Sequence, residues 1–148
     1  MPTIRQQILT AAVEALNTDR PPGVPEATLR RILPESTIEE PRISVFFNTE
    51  RAEARRGPHD TLTTRTLQLV VQVADVTSDV AELDELLEPM LAWAVAALGD
   101  NRLGGLVHWT RESGTQWAHE SMDRFYAKAA VVFDVEYHTN RDDAYTKA

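Results

Sequence analysis

The stretch Thr66-Leu67-Gln68-Leu69-Val70-Val71-Gln72-Val73-Ala74 decides the fold class. Leu67, Leu69, Val71 and Val73 recur at every second position, with Gln68 and Gln72 between them. Successive side chains of a strand point to opposite faces, so this alternation predicts a strand with one buried face. Val70 interrupts the polar face. Upstream, Ile43-Ser44-Val45-Phe46-Phe47 is β-branched and aromatic and reads as a second strand. Residues 49–64 lie between the two without apolar periodicity, and carry Glu50, Arg51, Glu53, Arg55, Arg56, His59 and Asp60. They read as a long, exposed, mixed-charge loop at the tip of a hairpin.

Working outward, Ile4, Ile8, Leu9, Ala12, Ala15 and Leu16 form one face of a helix over residues 3–17. Residues 18–42 hold five of the eight prolines and read as an irregular connection, with a short helix over Glu26–Leu33. Beyond the hairpin, Asp79 and Glu82 have capping-box spacing, with Ser78 as a competing cap. Leu83, Leu87, Met90, Ala94 and Leu98 then repeat at helical spacing, so a helix is expected over residues 79–98, ended by Gly99. Pro89 lies inside it and should kink or split it. Leu106–Thr110 reads as a short strand, Ser113-Gly114-Thr115 as a turn, and Tyr126–Thr139 as a long strand. In that last strand Ala127, Ala129, Val131, Phe133, Val135 and Tyr137 make an apolar face, while Lys128, Asp134, Glu136 and His138 lie opposite with Ala130 and Val132 among them. The polar tail Asn140–Ala148 should fray. The order α-β-β-α-β-β implies an α+β two-layer sandwich: an antiparallel or mixed sheet of about four strands with two main helices on one face.

Length and composition fit one soluble domain over residues 1–148. Hydrophobic residues make up 43% and charged residues 26% of the 148. There is no cysteine, which excludes disulfides, thiolate nucleophiles and Cys-ligated metals. A net charge of −8 disfavours gripping DNA or an anionic membrane. No apolar run approaches the roughly 20 residues of a spanning helix. The first residues are interrupted by Gln6, Gln7 and Glu14, so no leader is expected and a cytosolic origin follows.

No pattern of catalysis emerges. The histidines His59, His108, His119 and His138 lack the spacing that puts two metal ligands on one helical face. The acids Asp75, Asp79, Glu82, Asp84, Glu85 and Glu88 suit a helix N-terminus and its wet face better than a cation loop. Gly104-Gly105 is no phosphate loop, and Ser113-Gly114 is no nucleophile elbow. No catalytic residue, cofactor or metal ligand is therefore assigned. Trp93 and Trp109 read as packing residues, whereas Trp117, outside any periodic segment, either anchors a partner or packs under its own loop. Arginine is enriched at interfaces, so Arg51, Arg55 and Arg56, with Asp60 beside them, are the first candidates for contact with another subunit. Lys128 and Glu136, on the mixed outer face of the last strand, are the second group.

The assembled pattern resembles the tail terminator family of long-tailed bacteriophages, the lambda-type minor tail protein U group, and related head–tail joining and tail-completion proteins. The residues carrying the resemblance are Ile4–Leu16, Ile43–Phe47, the charged loop, Thr64–Val73, Leu83–Leu98, Leu103-Gly104-Gly105-Leu106 and Ala127–Tyr137. It spans residues 3–139 without a short diagnostic motif; the Pro-rich segment and Pro89 have no counterpart in it. The resemblance implies a structural protein without catalysis or cofactor. Such a protein is a monomer or weak oligomer when free and forms a ring of six copies on the tail tube. It ends tube polymerisation and presents a surface to the head-completion or connector protein, working in the host cytoplasm during assembly and then in the tail or neck of the virion. DNA passes through the lumen of such a ring without specific binding, and no membrane is involved. Six copies at −8 each would let DNA slide rather than stick. A small-molecule binder or enzyme on the same scaffold is the rival; it would need a deep pocket gathering His108, His119 and Glu120.

Overall fold

The computed structural model describes residues 2–29, 41–54, 62–77, 80–121, 125–141 and 143. Helix α1 runs Ile4–Thr18 and is opened by a reciprocal cap: the Thr3 hydroxyl accepts from the Gln6 amide, and the Gln6 side chain accepts from the Thr3 amide. Its stripe Ile4, Ile8, Ala12 and Leu16 is buried, as the spacing predicts. Strand β1, Ala27–Leu29, follows where the sequence suggests a short helix. Tertiary pairing overrides local propensity here. Asn17 brackets Ala27, with its amide nitrogen donating to the Ala27 carbonyl at 3.0 Å and its oxygen accepting from the Ala27 amide at 2.9 Å. Strand β1 also pairs in parallel with β2, Arg42–Ala54.

Strands β2 and β3 (Leu62–Thr77) are longer than their apolar patterns. Their antiparallel register runs from Arg42↔Ala74 through Glu50↔Leu67 to Ala54↔Thr63, with a shift between Phe47 and Glu50. The expected loop 49–64 is therefore corrected. Residues 49–54 and 62–64 belong to a hairpin arm, and only 55–61 lie outside the described residues. Apolar periodicity fades because the arm continues by cross-strand hydrogen bonds and β-favouring threonines rather than by a long buried row.

Helix α2 spans Val80–Leu98 with Pro89 inside, so the proline does not split it. Pro89 is exposed, where a missing backbone bond is most easily met by water. The expected capping residues Ser78 and Asp79 lie outside the described residues. A 3₁₀ turn at Leu103–Gly105 then redirects the chain, using Gly104 at φ 69° and Gly105 at φ 87°, where a side chain would be strained. Strand β4 is Trp109–Ser121, longer than the short strand expected, and the anticipated turn at residues 113–115 is instead a register shift between Glu112 and Gly114. Strand β5 is Phe125–Asn140. The tail beyond residue 143 lies outside the described residues.

Among the described residues the sheet has five strands in the order β1-β2-β3-β5-β4, one more than expected, and is mixed because β1 is parallel. Leu67, Leu69, Val71 and Val73 lie beside Val135, Phe133, Val131 and Ala129 on the covered face, and all eight are buried. Helix α1 lies against β1 and β2, α2 against β3 and β5, and the helices touch each other. The core is therefore a single layer between helices and sheet, with each large side chain contributing about 1.5–3 kcal/mol. Trp93 belongs to this core, as its spacing indicates.

Candidate interaction surface

Two sets of side chains follow from this register. On the helix side, at the base of the arm, Glu50 accepts from the Arg65 guanidinium at 2.9 Å through Oε1 and from the Tyr137 hydroxyl at 2.7 Å through Oε2. Arg65 Nε donates to the Thr139 hydroxyl at 3.0 Å, and the Arg5 guanidinium of α1 lies 3.9 Å from the same Glu50 oxygen. The Glu50 side chain is only 11% exposed, so these contacts are shielded from solvent and stronger than surface pairs. Burial, then the Glu50 hydrogen bond and charge, push the Tyr137 phenol above its ordinary range, against the opposing pull of Arg65 and Arg5. This clamp fixes β2, β3, β5 and α1 to one another where the β2 register shifts. The sequence pattern around Glu50 is that of a loop and carries no sign of the clamp, whose partners lie on other strands.

The opposite face of the sheet is not covered by either helix. Cross-strand rows place Phe46 beside Val70 and Val70 beside Val132. A neighbouring row sets Ser44, Gln72, Ala130 and Gln116 side by side. All of these except Ser44 line a shallow depression of about 320 Å³, bordered by Asn48, Gln68, Lys128 and, at the β4 edge, Trp117. The interruptions at Val70, Ala130 and Val132 were the sequence signal for it. Phe46, the break in alternation within Ile43–Phe47, completes it.

The candidate residues divide as follows. Trp117 lies in β4 rather than outside an element and is 53% exposed. Lys128 and Glu136 are half-buried on the outer face, eight residues apart on β5 and thus about 27 Å from each other. Arg51 is on β2, not in a loop, and shares a row with Thr66 and Glu136. Its 3.6 Å pair with Glu53 is highly exposed and contributes little. Arg55, Arg56 and Asp60 lie outside the described residues. Trp109, expected as a packing residue, is half-buried in the Glu136 row, with the Arg111 guanidinium 4.5 Å from its ring centroid.

The residues a ligand pocket would need do not converge. The His108 amide donates to the Glu136 carbonyl, whereas His119 pairs with Ala127. Those positions are nine residues apart on β5, or about 30 Å. His108 instead meets the His138 ring at 4.1 Å between centroids, and Glu136 lies 3.7 Å from His138. Among the described residues no group of three His, Asp or Glu could hold a metal ion, and no helix is long and apolar enough to cross a membrane.

No family model and no curated protein matches the chain. Among solved structures it is similar to a sheath/tube terminator. That protein belongs to PVC, an extracellular contractile injection system, and was solved by cryo-EM in the extended state. The TM-score is 0.47 and the identity 11%, over 96% of this chain. The chain spans 60% of that protein's length.

Proposed function

We propose that this protein is a structural component of a phage or phage-like tail, one that caps the tail tube as a ring. In this reading residues 1–148 act as one domain. Six copies close on the tube end, stop its polymerisation and present a surface to the head-completion or connector protein. Assembly takes place in the host cytoplasm, and the ring then stays in the tail or neck with DNA passing through its lumen. The observation that carries the reading is the sheet face that neither helix covers, with its Phe46–Val70–Val132 row. A face of this kind suits a subunit contact, because non-obligate interfaces resemble average surface with an apolar centre. The resemblance of residues 3–139 to the tail terminators supplies the kind of assembly. The contact residues proposed are Arg51, Arg55, Arg56 and Asp60 on the arm, Trp117 at the β4 edge, and Lys128 and Glu136 on the outer face.

Light scattering over a wide concentration range, with and without purified tail tubes, followed by electron microscopy, tests this. Rings of six, or tubes capped at one end, are expected. A concentration-independent monomer that ignores tubes would sink the reading. Arg55→Glu with Arg56→Glu should block assembly while leaving the monomer folded.

A further inference from the structure

Resting on that reading, we infer that the depression on the outer sheet face docks a second copy of this chain by the outer side of its helix α2. Three observations support this occupant.

The first is charge. In a chain of net charge −8, none of the described residues lining the depression is acidic, and among them Lys128 is basic. Copies of an acidic protein repel over most of their surface, so contact is least costly where carboxylates are missing. Glu85 and Glu88 are exposed on α2, so that end of the helix is acidic where the depression is not.

The second is shape. Past Glu88, the exposed positions of α2 are Pro89, Ala92 and Ala96. These are short side chains on one ridge, so a facing sheet can approach closely. The depression crosses four strands, about 14 Å at the usual strand spacing, and the Lys128–Val132 length of β5 gives about 14 Å the other way. The ridge from Glu88 to Ala96 is about 12 Å long at 1.5 Å per residue. The ridge is short enough for the depression, with its apolar part over the half-buried Phe46 and Val132 that flank the buried Val70, and its acidic end toward the Lys128 side.

The third is topology. The depression and the α2 ridge lie on opposite sides of a two-layer molecule. A contact between them is head-to-tail and leaves each copy with one free face of each kind. Such a heterologous contact propagates and closes when its rotation fits a ring.

The chain has no cysteine, so Val132→Cys and Ala92→Cys variants each carry a single thiol. Both substitutions are small and on the outer side of their elements. The two variants, one enlarged by a tag, are mixed in equal amounts, assembled on tail tubes and treated with a short bis-maleimide. A mixed tagged–untagged dimer is expected in the mixture and lost when either variant is treated alone. Dimers of Val132→Cys with itself would mean face-to-face contact and overturn the inference. Rings that form without the 132–92 link overturn it too, while leaving the ring reading standing. If no ring forms, that reading fails and the inference falls with it.

Discussion

Replacing Glu50 by alanine removes the carboxylate that accepts from Arg65 and Tyr137 and faces the Arg5 guanidinium. The Arg65 guanidinium is then left in a site where its side chain is only 18% exposed. The expected cost is about 2–4 kcal/mol in urea unfolding, because a poorly hydrated charge without its partner bears its own desolvation. Tyr137 gives the clamp a pH signature. Its phenol is held above the ordinary tyrosine value of about 10, so the fold favours the neutral form. That stability is complete below the unfolded-state value and is lost as pH climbs beyond it. An absorbance titration should show one of the three tyrosines resisting ionisation until the chain unfolds, with the urea midpoint falling in the same range. Tyr137→Phe should lower stability at neutral pH by about 1 kcal/mol and flatten that alkaline loss. An unchanged alkaline slope in Tyr137→Phe would show that another group is responsible.

Among the elements, helix α2 carries a built-in defect. Pro89 has no N–H to give the Glu85 carbonyl, and it is exposed, so packing does not require it. Pro89→Ala should raise stability by about 1–3 kcal/mol, read as a higher urea midpoint at unchanged slope. A loss of stability would mean that the helix axis depends on the proline. Strands were legible in proportion to how much of them is buried. The apolar rows Leu67–Val73 and Ala127–Tyr137 were readable because alternation and burial coincide, and every residue of both rows is buried. The arm residues Thr49–Ala54 and Leu62–Thr64 were not, because cross-strand hydrogen bonds hold them and backbone pairing leaves no mark on hydropathy. Strand β1 has a helical local signal for a related reason: its partners, Asn17 and β2, are remote in sequence.

For the whole molecule, charge opposes association. Copies at −8 repel, and raising salt from about 0.1 M to 1 M shortens the screening length from about 10 Å to about 3 Å. Light scattering should therefore show rings forming at lower protein concentration in high salt. Dissociation by salt would instead mean that cross-subunit ion pairs, such as those proposed for Arg51, Arg55 and Arg56, dominate the contact.

The sequence by itself determined the two-layer α+β class, both helices and the inward rows of the two central strands. These follow from local periodicity, which records whether a side chain meets water or core. It also marked Val70, Ala130 and Val132 as out of place on a polar face. The tertiary structure alone decided that Phe46 joins them across the sheet, that Glu50 meets Arg65 and Tyr137, and that His108 and His119 stand far apart. Glu50 and Tyr137 are 87 residues apart along the chain. Such meetings depend on strand order and register, which are properties of the assembled sheet and leave no periodic trace in any one segment.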